Sequence, residues 1–510
     1  MTAPEQGQPG NGQVTVLAFL GRKDPKYKRI DTHASIIFLG EDRVLKVKRA
    51  VRLPFLDFST LEQRKRACNE ELTVNRRFAP DLYRRIVPIA QGKEGLEIDG
   101  DGPVIEWAVE MMRFDESKTL DHLARAAAIT PELADALAVA IRDTHQRAEI
   151  SDGSSWLISV AGIIDRNTQV FRDEPQLSRQ MVDRLDALSH HRLADCRGLM
   201  HARASKGLVR RCHGDAHLGN IVLIDGSPIL FDAIEFDPVI ATTDVLYDLA
   251  FPVMDFCHFG LTACANRLFN SYLQATWQES AEALLLLPLF LSMRAAIRSN
   301  VLFTKRRLSP DNNQDATDAR AYFDLALRHI EPARPSLIAI GGKSGTGKSV
   351  LARYAAPLLA PLPGAVLLRS DVIRKELFGV DPLTTLPEDA YTAEVAARVY
   401  RTLLERSQQI LAQELSVIVD AAFLKDSERD ELSMVAQKLD VPFHAVFLAA
   451  DLAVRLDRIG ARKRDASDAT AEIAASQEDY EIGRIDWPVI DASGSPEQTL
   501  ERSKLILMPR

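Results

Sequence analysis

The chain has 510 residues, 46% of them hydrophobic and 26% charged, with a formal net charge of -8. That length predicts two or three domains with separate cores. The acidic balance argues against a dedicated nucleic-acid binder. The five scattered cysteines, none in a Cys-x-x-Cys pair, argue against a disulfide framework or metal cage and fit a reducing cytoplasm.

Residues 1–13 are polar and rich in Gly, Pro and Gln, without the basic start and apolar core of a signal peptide, and are expected to be a disordered tail. Residues 36–39, the turn Gly40-Glu41-Asp42 and residues 44–48 read as strand, turn and strand. In the second strand Leu45 and Val47 alternate with Lys46 and Lys48, so the two lysines share one face. A helix carrying Glu70 and Glu71 is expected from about Thr60 to Phe78, with Ser59 or Thr60 as its cap. Further strands are expected at 86–89 and 104–111. A small strand-rich lobe thus spans about residues 28–112. A mostly helical large lobe, 113–331, completes a first domain of 14–331. The apolar run 283–293 is too short to cross a bilayer and contains Pro288, so a buried helix and no membrane partner are expected.

Within this helical region lies Arg211-Cys212-His213-Gly214-Asp215-Ala216-His217-Leu218-Gly219-Asn220, and after it Ile229-Leu230-Phe231-Asp232. Residues 220–223, the turn Asp225-Gly226 and residues 228–231 read as a hairpin. It brings Asp215 and Asn220, in the loop before it, toward Asp232 at its far end. Phosphoryl transfer uses such a set: a carboxylate accepts the hydroxyl proton, while an amide oxygen and another carboxylate hold magnesium. His145 and His217 read as packing or caps.

Pro332-Ala333-Arg334-Pro335 forms a linker, and residues 336–510 alternate apolar strands with helices. Strands at 337–340, 365–368, 416–419 and 443–448 predict a parallel sheet covered on both faces. Gly342-Lys343-Ser344-Gly345-Thr346-Gly347-Lys348-Ser349 is a complete Gly-x-x-x-x-Gly-Lys-Ser between a strand and a helix. Its glycines let backbone N–H groups wrap phosphates, Lys348 reaches the β- and γ-phosphates, and Ser349 ligates magnesium.

The His-Gly-Asp-x-x-x-x-Asn stretch with Asp232 resembles the catalytic loop and metal aspartate of the aminoglycoside phosphotransferase and choline kinase families, over roughly residues 28–330. The resemblance implies a protein-kinase-like fold. Asp215 would be the catalytic base, Asn220 and Asp232 the magnesium ligands, and His213 and Asp248 braces of the loop. Lys46 would pair ATP phosphates with Glu71 as its partner, Lys48 and Glu70 being the alternatives one step away. Glu110 and Met112 fall where such enzymes hinge and offer backbone groups to adenine. No Gly-x-Gly-x-x-Gly precedes the lysine strand; Asp31-Thr32-His33-Ala34-Ser35 stands there.

In the second half, Arg369-Ser370-Asp371-Val372-Ile373-Arg374, then Asp420, then the stretch from Arg455 to Asp468 come in an order similar to that of small P-loop kinases. Gluconate kinase, chloramphenicol phosphotransferase, polynucleotide kinase and the zeta-toxin kinases are examples. That resemblance implies Asp371 as base or orienter, Arg374 as a substrate contact and Asp420 at the metal or substrate. Arg458, Arg462 and Arg464 would belong to a mobile lid. Two further stretches, 55–61 and 75–83, resemble a bacterial group in which a phosphotransferase-like domain is fused to a P-loop kinase.

The expectation is therefore an α+β two-lobed protein-kinase-like domain followed by an α/β P-loop NTPase domain with a parallel sheet. It would be a bifunctional cytoplasmic phosphotransferase using ATP and Mg2+ on a hydroxyl of a small polar molecule. The competing reading makes one half a regulatory ATP sensor. A protein kinase is disfavoured, because the loop has His213-Gly214-Asp215 rather than His-Arg-Asp and Asp232 is followed by Ala233-Ile234.

Overall fold

The computed structural model describes residues 11–23, 27–32, 34–53, 56–308, 313–462, 465–480 and 482–508. It comprises two compact units, Met1–Gly162 with Gly198–Pro252, and Ile163–Arg197 with Val253–Arg510.

The first unit is built on a six-stranded antiparallel sheet of β1 (Lys28–Asp31), β2 (Ser35–Leu39), β3 (Arg43–Lys48), β4 (Tyr83–Gln91), β5 (Leu96–Ile98) and β6 (Val104–Met112), in the order β1-β2-β3-β6-β4-β5. Ile36, Phe38, Leu45, Val47, Val87 and Ile89 bury one face of it against Val16, Leu17 and Leu20 of helix α1 (Asn11–Lys23). Residues 11–13, expected in the tail, therefore begin a helix; residues 1–10 lie outside the described residues. Gln13 explains the difference. Its side chain is buried and its Nε2 donates to Glu106 Oε2 at 2.7 Å and Lys48 O at 2.9 Å, so a polar residue anchors the element.

Helix α2 (Leu61–Asn75) starts at Thr60, whose side chain and that of Gln63 form a capping box. It stops at Asn75, short of the expected Phe78, where the Asn75 Oδ1 accepts the Ala233 N–H at 2.7 Å. The rest of the unit supplies α3 (Pro131–Arg147), the pair β7 (Val209–Arg211) with β10 (Thr242–Asp244), and the expected hairpin of β8 (Ile221–Ile224) and β9 (Ser227–Leu230). Asp225 and Gly226 have φ of 48° and 79°, the left-handed pair of a type I′ turn.

In the second unit, helix α4 (Thr262–Ala275) is followed by α5 (Leu287–Leu308) and α6 (Asn313–Ile330). Pro288 sits in the first turn of α5, where a missing N–H costs no helical bond. By length and composition Trp277–Arg307 would reach across a membrane, but 83% of its most apolar window is buried inside the protein. The parallel sheet comprises β11 (Leu337–Gly342), β12 (Val366–Arg369), β13 (Val417–Asp420), β14 (Phe443–Ala449) and β15 (Val489–Asp491), in the order β12-β13-β11-β14-β15. β11 is central and buried throughout, as its continuous apolar run requires. The edge strand β12 is covered by α4. Asn270 Oδ1 accepts the Leu367 N–H at 2.8 Å, and Asn266 and Asn270 both donate to Ala365 O, at 3.0 and 3.1 Å. Sequence on both sides of residues 332–335 thus packs within one unit.

His329 on α6 is 2% exposed, and neither ring nitrogen has a hydrogen-bond partner among the described residues. Burial, with some help from Arg328, pushes its pKa down to about 3. The unfolded imidazole protonates near pH 6.5, so this group's penalty is absent above that value. As pH falls below it, stability is lost, because the unfolded state takes up a proton that the folded state refuses. His329→Leu is expected to lose less stability between pH 7 and pH 4 than the parent chain, measured as urea midpoints.

Candidate active sites

In the first unit the pleat of β3 turns Lys46 and Lys48 to the same face, and α2 brings Glu71 beneath them. Lys46 Nζ lies 2.7 Å from Glu71 Oε1 and 2.5 Å from Asp232 Oδ1. Lys48 Nζ lies 2.7 Å from Glu71 Oε2 and 2.5 Å from Glu235 Oε1. Glu70 is exposed. Of the alternatives left by the sequence, Lys46 and Glu71 face Asp232, and Lys48 braces Glu71 from its other oxygen. Burial alone would lower the Lys46 pKa, but the charges of Asp232 and Glu71 raise it well above its ordinary value. Burial likewise works to raise that of Asp232, and Lys46 overrides it to a net lowering. Both groups are therefore ionised.

The loop before the hairpin is held from two sides. His213 Nε2 donates to Phe231 O at 2.9 Å while its Nδ1 accepts the Asp215 N–H at 3.4 Å, which assigns the Nε2–H tautomer. Burial lowers its pKa, so it stays neutral near pH 7. Gly214, at φ 82°, donates its N–H to Asp248 Oδ1 at 2.8 Å, and a Cβ there would lie 3.1 Å from Ala241. Asp248 Oδ2 is 3.1 Å from Nε2 of His145 on α3. His145 is thus part of the brace, which its isolation in sequence hid. His217 Nδ1 caps the Gly219 N–H at 3.0 Å. Asn220 Nδ2 reaches Asp215 O at 3.0 Å and Oδ2 at 3.2 Å. Asp232, at φ 59°, donates its N–H to the Tyr83 hydroxyl at 3.1 Å. Thr32 and Ser35 bond one another in the turn before β2, and His33 lies outside the described residues.

A cavity of about 260 Å³ is lined by Ile37, Lys46, Met111, Phe114, Phe231 and Asp232. At the expected hinge, two groups already have partners within the protein. The Glu110 carboxylate is taken by Arg85 at 2.9 Å and Arg43 at 3.7 Å, and the Met112 N–H already donates to Leu82 O at 2.8 Å. Lys46 pairs with Val109 across the sheet, so Val109 and Met111 share its face and Met112 points away. Counting that alternation from Lys46 would have found Met111.

In the second unit the Gly-rich loop joins β11 to α7 (Lys348–Ala355). Gly345 sits at φ 84° and a Cβ there would lie 2.7 Å from Arg455 O. Arg455, which no sequence motif singles out, is 1% exposed and donates to Ser344 O at 2.7 Å and Ala474 O at 3.0 Å, so it shapes the loop from behind. Lys343 is drawn away to Glu478 at 3.0 Å. Lys348 Nζ donates to Lys343 O at 3.2 Å, and burial lowers its pKa against the pull of Asp420. Ser349 Oγ donates to Asp420 Oδ2 at 2.5 Å.

Lys348, Ser349, Asp371, Arg374, Asp420 and Arg462 line one cavity of about 830 Å³. Asp371, on α8 (Ser370–Leu377), has its pKa raised by burial. Arg374 donates to Ala390 O at 2.7 Å and lies 4.8 Å over the Tyr391 ring. Arg458, on α9 (Leu452–Gly460), donates to Thr346 O at 3.3 Å and Gly494 O at 2.7 Å, so it grips the loop. Arg464 lies outside the described residues. Past it, Asp465 pairs with Arg369 at 2.8 Å and Asp468 with Lys375 at 2.5 Å. The donor sets Asn220 with Asp232 and Ser349 with Asp420 are hard oxygens, the chemistry that magnesium prefers.

The family model described as "Phosphotransferase enzyme family" matches residues 22–283, and one described as "AAA domain" matches 337–481. An uncharacterized protein of Mycobacterium tuberculosis (strain ATCC 25618 / H37Rv) is 28% identical over 487 residues, covering 92% of this chain and 93% of that protein. A choline/ethanolamine kinase family protein from Mesorhizobium loti is 12% identical with a TM-score of 0.36, covering 62% of this chain and 99% of that one. A gluconokinase from Sinorhizobium meliloti 1021 is 22% identical with a TM-score of 0.25, covering 34% and 91%.

Glu71→Gln would leave Lys46 and Lys48 short of one buried charge. We expect a loss of roughly 3 kcal/mol, read as a lower urea midpoint of the first unit; an unchanged midpoint contradicts the shared ion pair.

Proposed function

Because the chain belongs to the phosphotransferase enzyme family, we propose that it is a bifunctional kinase in which each half passes the γ-phosphoryl group of ATP to a hydroxyl of its own small polar acceptor, a sugar or amino sugar. The chain is a phosphotransferase, and both matched families accord with transfer from ATP to a small molecule. The observation that carries the two-site reading is that two separate cavities each present a lysine beside an aspartate, Lys46 with Asp232 in one and Lys348 with Asp371 and Asp420 in the other.

In the first half, Lys46 pairs with ATP phosphates and Glu71 fixes its position, while Asp215 accepts the proton of the acceptor hydroxyl. Asn220 steadies Asp215 through the bond to Oδ2. In the second half, backbone N–H groups of residues 342–349 and Lys348 hold the phosphates. Asp371 takes the hydroxyl proton, and its burial makes it a stronger base than an exposed aspartate. Magnesium, when bound, neutralises charge on the phosphates; Asn220 and Asp232 would hold it in one half, Ser349 and Asp420 in the other. Arg374 faces the acceptor. The setting is the cytoplasm, in keeping with five buried cysteines.

The test is ATP turnover with a panel of sugars and amino sugars for the parent, Asp215→Ala, Lys348→Ala and the double variant. Each single variant is expected to lose one group of acceptors by about a hundredfold or more, and the double variant all of them. Full activity of both single variants with every acceptor ends the two-kinase reading. If Lys348→Ala spares all turnover and shifts only the ATP affinity of the first half, the second half is a sensor.

The pH profile gives a separate check. A base with a raised pKa becomes protonated at higher pH than an ordinary aspartate near 3.9. Activity that depends on Lys348 should therefore fall on the acid side above pH 4, and an acid limb at or below that value excludes Asp371 as the base.

A further inference from the structure

Resting on the reading of Ser349 and Asp420 as a metal pair, we propose that Arg369 is a positioning residue: an internal cation that occupies this pair, ties it to residues 465–468, and is displaced by magnesium.

Arg369 ends the edge strand β12, and its guanidinium spreads over three elements. Nη2 donates to Ser349 Oγ at 3.0 Å and to Asp465 Oδ1 at 2.8 Å, and Nε donates to Asp420 Oδ2 at 3.3 Å. The Arg369 side chain is 12% exposed, that of Asp420 6% and that of Asp465 21%. A carboxylate this buried needs a counter-charge, and one guanidinium serves two of them. Its planar fork can do so; a single ammonium would not span the three partners.

The oxygens it binds are those a hard cation would take. Ser349 Oγ and Asp420 Oδ2 lie 2.5 Å apart. A divalent ion there and a guanidinium on the same two atoms repel one another, so one must leave. The Arg369 backbone is tethered, because the N–H of Leu367, two residues back, is held by Asn270 at 2.8 Å. The side chain therefore does the moving, and it keeps Asp465 as its remaining partner. Metal arrival at the loop and the position of the segment beyond α9 become one event. The cost of removing the guanidinium opposes metal binding, which separates this arrangement from simple structural support.

The test uses the full chain with Asp232→Ala, which removes the first site's ligand. Magnesium is titrated calorimetrically in the presence of saturating non-hydrolysable ATP analogue. Arg369→Gln is expected to bind magnesium about threefold to tenfold more tightly, the scale of one charge-assisted hydrogen bond. Asp465→Asn leaves the guanidinium over the pair, and should not tighten magnesium. Both variants should show faster amide exchange at residues 465–468 without metal. Equal or weaker magnesium binding by Arg369→Gln, or undisturbed exchange in Asp465→Asn, overturns the proposal. If the background chain binds no magnesium with the analogue, or if adding Lys348→Ala leaves its binding intact, the reading of the P-loop site falls first and takes this with it.

Discussion

Two lysines on one face of a strand, both buried, need a carboxylate that each can reach, and Glu71 meets that need with one oxygen apiece. Much of the first site depends on this. The shared pairing fixes α2 against β3. Lys46 reaches on to Asp232 and Lys48 to Glu235, so the segment after the hairpin is pinned at two points three residues apart. The bond between Asn75 and Ala233 adds a third tie between helix and segment. A buried ion network of this kind is a weak source of net stability. Its strength is in register, since a shift of one residue in either element would strand a charge.

The two sites solve the same electrostatic problem with different parts. Each sets an acid at the end of a strand or hairpin and covers it with a cation from another strand: Lys46 over Asp232, Arg369 over Asp420. The folds differ, one antiparallel and one parallel, and so do the elements that carry each lysine. What they share is an aspartate paired with a largely buried cation.

Features written in local sequence were legible, and those made by distant contact were not. The hairpin, the Gly-rich loop and the central apolar strand follow from turn chemistry and periodicity within a dozen residues. Helix α3 begins at Pro131 and ends at Arg147, the span its amphipathic pattern marks. His145 gave no sign of its tie to Asp248, 103 residues away. Arg455 lay inside a motif whose other arginines drew attention, yet it is the buried one. The choice between Glu70 and Glu71 turned on which face of the helix meets the site. Helix and strand periods narrow such choices, but only tertiary pairing decides them. Gln13 shows the converse error, a polar composition read as disorder where two hydrogen bonds supply the anchor.

The covering of β12 has a consequence for how the chain can be divided. An unpaired edge strand is a template for intermolecular pairing, and here Asn266 and Asn270 occupy its backbone groups from a helix that lies before residues 332–335. The proline-rich stretch is thus a covalent joint without being a seam. A gene split there would give a downstream product with an open sheet edge, and an upstream product with two asparagines facing nothing. Fusion of the two halves is, in that sense, a folding arrangement as much as a pairing of activities.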